Sequence, residues 1–153
     1  VKDVVDKRGY DDGANIGFTM TGMSNKHTTL LTPSPAQVVI REHIGTVLAS
    51  CPGADAPMPP SIALAIEIVT LQATERVDAA DSEETRVDIA YAVKAYSAAD
   101  GRFLESFDVS GSASRVSAVD ATFFIEEALN EALREVTAEF LVALSQLIDR
   151  HAS

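Results

Sequence analysis

Tryptophan is absent, cysteine occurs once, and aromatic residues make up only 6% of the 153-residue chain. A lone Cys51 cannot form an internal disulfide, so cysteine usage leaves the redox compartment open. Basic residues are also scarce: 12 Lys and Arg against 23 Asp and Glu give a net charge of −11. A chain this acidic repels phosphate backbones and anionic lipid surfaces, which argues against nucleic-acid binding and against direct membrane adsorption. No uncharged apolar run approaches the ~18 residues that a membrane-spanning helix needs. The first residue is Val1 rather than Met, so any targeting segment is expected upstream of this sequence.

Chemistry-bearing patterns are just as sparse. His27, His43 and His151 are far apart and form no metal-ligand spacing, so they read as surface histidines. Asp6, Asp11, Asp12 and Asn15 surround Gly13, but the spacing is not that of a calcium loop. Asp81, Glu83 and Glu84 form an acidic hairpin tip, the wrong place for paired carboxylates to divide acid and base roles. Ser110, Ser112, Ser114 and Ser117 alternate along a strand end without a nucleophile elbow. Gly9, Gly13 and Gly17 precede no helix and make no phosphate loop. Leu48-Ala49-Ser50-Cys51 looks like a lipoprotein cleavage box, but Arg41, Glu42 and His43 interrupt the apolar run such a box requires. Cys51 therefore reads as an inert thiol on the apolar side of a helix end. The expectation is a chain that is not an enzyme and uses no cofactor or metal.

What is present is a core-forming pattern, with 46% apolar residues in a length typical of one domain. Residues 1–33 read as a partly irregular N-terminal segment with extended pieces at 1–8, 16–23 and 28–31. Ser34, Pro35 and Gln37 have the spacing of a capping box with Pro at the first helical position, followed by Ile40, Ile44, Val47, Leu48 and Cys51 at helical intervals. Residues 54–60 form a Pro-rich linker inside the domain. In residues 61–74, Ile62, Leu64, Ile66 and Ile68 alternate with Ala63, Ala65 and Glu67. In residues 85–96, Val87, Ile89, Tyr91 and Val93 alternate with Arg86, Asp88, Ala90, Ala92 and Lys94. Asp100-Gly101 marks a tight hairpin turn. Its partner strand carries Phe103, Phe107 and Val109 on the inner face, and Gly111 is a candidate bulge.

From Ser117, with Asp120 three residues on as a second capping box, the chain reads as a long amphipathic helix. Ile125, Leu129, Ala132, Val136, Phe140, Ala143 and Leu147 form its apolar stripe, and Phe123 and Phe124 join the core. About 31 helical residues would span roughly 46 Å, close to the roughly 40 Å of a ~12-residue strand, so the helix can lie along the hairpin. One apolar face per strand predicts an α+β, two-layer sandwich: a mixed sheet of about four long strands, with a short and a long helix on one face, in the order β-α-β-β-β-α.

The order and texture of these segments resemble the YajG-type bacterial envelope lipoproteins and, more broadly, transport-auxiliary and curli-type lipoprotein domains. The resemblance rests on Asp6-Lys7-Arg8, Ile16-Gly17, the Pro-led helix, the Ala98-to-Arg102 turn, the small polar strand end and the final Ala/Glu/Leu-rich helix. Cys51-Pro52 departs from the pattern, which has a glycine after the helix. The resemblance implies a single periplasm-facing domain over residues 1–153, lipid-anchored through an upstream cysteine and more often in the outer membrane, with no catalytic residues to carry over. Its expected role is a non-enzymatic interaction or assembly accessory, docking an envelope protein or a second copy. The candidate interaction face is Ala63, Ala65, Glu67, Arg86, Asp88, Ala90 and Ala92, where small side chains permit close approach. The alternative is a carrier holding a lipid or other apolar ligand between sheet and helices, lined by Ile66, Ile68, Phe107 and Phe140.

Overall fold

A computed structural model describes residues 1–20, 27–51, 62–77, 82–117 and 122–151. The linker at 54–60, Asp81 and the Asp120 cap lie outside the described residues. The chain runs β1 (Asp3–Asp6), β2 (Asn15–Met20), β3 (His27–Leu31), α1 (Ala36–Ala49), β4 (Ile62–Val77), β5 (Glu83–Ser97), β6 (Phe103–Ser117) and α2 (Thr122–His151). The α+β character and the mixed sheet are as expected, but among the described residues the sheet has six strands rather than four. The additional strands come from the N-terminal segment, which is more regular than its sequence suggests: β2 and β3 make an antiparallel hairpin at the sheet edge.

The sheet order is β3-β2-β4-β5-β6, and β1 also pairs with β4. β1 and β2 both run parallel to β4 along the same edge, one after the other: Val4 pairs with Ile66 and Gly17 with Ala73. A 16-residue strand is about 53 Å long, too long for either short partner alone. The gap between them is closed by the Arg8 side chain, which is only 2% exposed. All five guanidinium N–H groups find acceptors. Nε and Nη2 donate to the Asp6 carboxylate at 2.9 and 2.6 Å. Nη1 donates to the Asn15 and Leu71 carbonyls at 2.6 and 3.0 Å, and Nη2 also reaches the Gly13 carbonyl at 2.9 Å. The Tyr10 ring lies 5.1 Å from the guanidinium carbon.

The same loop starts α1. The Ala36 N–H donates to the Gly13 carbonyl at 2.8 Å, which satisfies one of the helix's unpaired N-terminal donors. The predicted capping box is not formed: Pro35 is the N-cap, no side chain caps the helix, and the Ser34 carbonyl instead accepts from the Thr32 hydroxyl. The helix begins one residue later than its cap-like sequence implies.

Both helices cover one face of the sheet, and His43 of α1 touches Thr137 of α2 at 2.9 Å. The core between the layers takes Ile66 and Ile68 of β4, Ile89, Tyr91 and Val93 of β5, Ile40 and Ile44 of α1, and Ala132, Val136 and Phe140 of α2. Of the stripe read for α2, Ala132, Val136, Phe140 and Leu147 are buried and Ile125, Leu129 and Ala143 partly buried, while Ala128, which that stripe omits, is fully buried.

Two irregularities redirect side chains. A bulge between Ile68 and Thr70 leaves Val69 53% exposed and shifts the inward phase of β4 to Leu71 and Ala73. A second shift, between Ala95 and Tyr96, pairs Tyr96 with Phe103 and turns Phe103 outward. Phe103 is therefore 53% exposed rather than inner, with its ring edge-on to Tyr96 at 5.8 Å. Gly111 is not a bulge, since it pairs in register with Ile89. It marks a close approach instead: a Cβ there would stand 2.5 Å from the Ala132 carbonyl oxygen and 2.6 Å from the Val136 nitrogen. Gly17 is needed for a similar reason, because at φ 143° its Cα lies against the Ala73 carbonyl, where a Cβ would collide.

Two substitutions should move stability in opposite directions. Arg8→Ala leaves Asp6 and three part-buried carbonyls without this donor and should cost about 3–5 kcal/mol in urea unfolding. The Tyr91 hydroxyl is buried with no hydrogen-bond partner among the described residues, and burial pushes its pKa above the usual range. Tyr91→Phe should therefore be neutral or stabilising by about 1 kcal/mol, and a clear loss would show that the hydroxyl has a partner.

Candidate functional site

The face opposite the helices is built by three long antiparallel strands. Alternation puts Ala63, Ala65 and Glu67 of β4 on this side, level with Tyr96, Lys94 and Ala92 of β5. Arg86, Asp88 and Ala90 continue the face, so the seven residues singled out from the sequence do share one surface. Past the β4 bulge, Thr70, Gln72 and Thr74 extend it, paired with Ala90, Asp88 and Arg86. β6 adds Ser106, Asp108, Ser110, Ser112 and Ser114, all exposed. These serines were legible only as a small-residue strand end. Their period of two is the signal that places them on the open face beside the alanines.

The charges on this surface are largely matched within it. Lys94 Nζ donates to Glu67 at 2.9 Å, which holds the carboxyl below its usual range and the amine above its own. Arg86 grips Asp88 with Nε and Nη2 at 2.8 and 3.0 Å, which raises the guanidinium further. Small side chains in the middle leave a shallow depression of about 320 Å³, with Thr70, Asp88, Ala90, Ser110, Ser112 and Glu135 in its lining. A second hollow of about 390 Å³ lies towards β2, bounded by Phe18, Thr74, Arg76, Glu84 and Arg86. At the hairpin end, the Tyr96 ring lies beneath Lys2 Nζ at 5.6 Å. The face is an open, slightly troughed plane and not a cleft.

The other sequence candidates are dispersed. His43 lies between the helices, His151 beside Glu105 at 4.0 Å, and His27 opens β3. Glu83 and Glu84 belong to β5, paired with Val77 and Arg76. Asp12 holds its own loop, accepting from the Ala14 N–H at 2.9 Å, and Asp6 is committed to Arg8. Cys51 is partly exposed rather than buried, its thiol 3.5 Å from the Val47 carbonyl. No group of three or more His, Cys, Asp or Glu among the described residues is arranged to hold a metal ion. No described helix is long and apolar enough to cross a membrane. Ile66 and Ile68 are fully buried, and Phe107 packs against Phe140 with ring centroids 6.3 Å apart, so the side chains suggested as a ligand lining fill the core.

The sequence matches no family model and no curated protein. The fold is similar to the crystal structure of protein XCC0632 from Xanthomonas campestris, of the DUF330 family. The TM-score is 0.64 at 16% identity, covering 97% of this chain and 86% of that one. A chain from Caulobacter crescentus CB15, named as a candidate lipoprotein, matches more loosely, with TM-score 0.44 at 14% identity and 86% of each chain covered. At such identities the likeness to XCC0632 is one of fold, and neither match bears the YajG-type name.

Two titrations should shape the acid limb of stability. Burial between the helices lowers the His43 pKa below its ordinary 6.5. Between those two values the unfolded chain binds a proton that the folded chain does not, so stability falls as pH drops below 6.5 through the folded value. The Arg8 hydrogen bonds lower the Asp6 pKa below 3.8, so a further loss follows as pH falls through that group's folded value. Urea midpoints measured from pH 8 to 3 should show the first step flattened in His43→Gln while the second persists.

Proposed function

We propose that this chain is a non-enzymatic, periplasm-facing lipoprotein domain of the bacterial envelope, an accessory module that docks a protein partner through the uncovered face of its sheet. The observation that carries the reading is that plane of β4, β5 and β6, which no helix of the described chain covers. Three strands of about 15 residues present roughly 700 Å² of backbone footprint, near the ~800 Å² per partner of a standard protein interface. Ala63, Ala65, Ala90 and Ala92 allow another flat surface to come close. Lys94–Glu67 and Arg86–Asp88 are already paired, which lowers the desolvation cost of covering them.

The occupant best suited to this face is an envelope protein with a flat, net-basic surface. Each copy of this chain carries a charge of −11, so two copies meeting here would repel. The lipoprotein reading draws on the sequence's resemblance to envelope lipoproteins, with attachment through an acyl chain on a cysteine upstream of Val1. The carrier alternative has no observation in its favour, because its lining residues pack against one another.

A photo-crosslinking residue at Ala90 or Ala92 tests the docking face in cells. One discrete adduct is expected from either site, lost on adding Ala65→Arg, with none from a probe at exposed Val142 of α2. Adducts from Val142 alone, or from no site, would overturn the reading. The full-length protein should fractionate with membranes and incorporate a fatty-acid label, and a soluble, unlabelled product would remove the envelope assignment.

A further inference from the structure

The outer edge of β6, which borders the docking face at Ser110, Ser112 and Glu135, carries an arrangement that core packing does not require. Among the described residues, β6 is the last strand of the sheet and pairs only with β5. Such an edge presents unpaired N–H and C=O groups and invites another strand. Edge strands are commonly guarded by Lys or Pro, and β6 (FLESFDVSGSASRVS) contains neither. Two carboxylates reach it from α2 instead. The Ser110 N–H donates to Glu139 Oε2 and the Ser112 N–H to Glu135 Oε2, both at 2.6 Å. These oxygens stand where the carbonyls of a neighbouring strand would stand.

The spacing explains why a helix can do this. Residues two apart on a strand are about 6.6 Å apart, and residues four apart on a helix about 6.0 Å, so two rungs fit before the registers drift. Gly111, between the two serines, lets the α2 backbone come close enough, since any side chain there would meet Ala132 and Val136. Arg115–Glu131 and Arg150–Glu105 pin the seam on either side. Continued in the same register, the ladder would set Ala143, which offers no acceptor, opposite Asp108, and Glu131 opposite Ser114, but Glu131 is held by Arg115. The capped stretch is therefore the middle of the strand.

We propose that Glu135 and Glu139 lock the β6 edge against strand addition, and that without them β6 pairs antiparallel with β6 of a second copy about a two-fold axis. A second copy meets this edge with the same backbone pattern about a two-fold axis, and the backbone ladder has to outweigh the repulsion between two chains of charge −11, so the association should strengthen as salt screens it. Small serines at 106, 110, 112 and 114 also put no bulky side chain in the way on the outer face.

The test compares the wild type with Glu135→Ala/Glu139→Ala by light scattering, with circular dichroism to confirm folding. The double variant should show an about twofold higher mass than the wild type. Adding Ser112→Pro removes the docking N–H and should restore the wild-type mass, and Glu135→Gln/Glu139→Gln, which keeps carbonyl acceptors, should not change it. A folded double-alanine variant with unchanged mass at high concentration overturns the proposal, as does an increase that Ser112→Pro leaves intact. Should the double variant not fold, hydrogen exchange on the wild type decides. Ser110 and Ser112 amides protected like those paired to β5 support the lock, and amides exchanging as free ones sink it.

Discussion

The guanidinium of Arg8 is the point on which the sheet depends. A strand as long as β4 needs a continuous partner along its edge, yet the chain supplies two short strands with a loop between them. Across that break the β4 carbonyls would be buried without donors, which is costly in an interior of low dielectric. The Lys7 N–H takes the Ile68 carbonyl at 3.0 Å and Arg8 takes that of Leu71, so side chain and backbone together continue the ladder where no strand runs. Asp6 neutralises the buried charge and fixes the plane of the fork. Because Arg8 also holds the Gly13 carbonyl, which caps α1, one side chain ties the sheet edge to the helix layer.

This gives Asp6-Lys7-Arg8 and Ile16-Gly17 physical meaning. The first is the buried ion pair at the break. The second is the re-entry of the chain beside β4, with Ile16 dropping into the core and Gly17 close against Ala73. Neither could be derived from local pattern, because both depend on parallel pairing between residues some sixty positions apart. The hairpin of β5 and β6 and the helix α2 were legible, since alternation, the Asp-Gly turn and a 3.6-residue stripe are local signals. Failures came where backbone irregularity or competition for a donor intervened. Phe103 fits the inward phase until one extra residue shifts the register at Ala95. Ser34 has a capping residue's chemistry, but the Gly13 carbonyl already serves the helix start.

The open face was legible in the half of β4 that precedes its bulge, where Ala63, Ala65 and Glu67 alternate cleanly. Past Val69 the phase reverses, and Thr70, Gln72 and Thr74 could not be assigned to that surface by counting twos from Ile62. Glu135 and Glu139 were invisible for a different reason. A glutamate at helical spacing on a polar stripe reads as a solvated face, and only the placement of Gly111 beneath α2 shows that this stripe meets a strand edge.

The alanines supply the last argument. Burial does not dictate the residues at positions 63, 65, 90 and 92, since those side chains point away from the core. Strands favour β-branched and aromatic residues, and alanine is depleted there because it packs poorly on a pleated surface. A sheet optimised for its own stability would carry Val, Ile, Thr or Tyr at these positions, as the inner face does with Val87, Ile89, Tyr91 and Val93. Solubility would favour charged residues, as on the glutamate-rich outer side of α2. The outer face does neither consistently: it keeps small side chains in the middle and charges that pair with each other. That combination gives up strand propensity without gaining solvation, and the docking proposed for this face is the circumstance in which close approach would turn it to advantage.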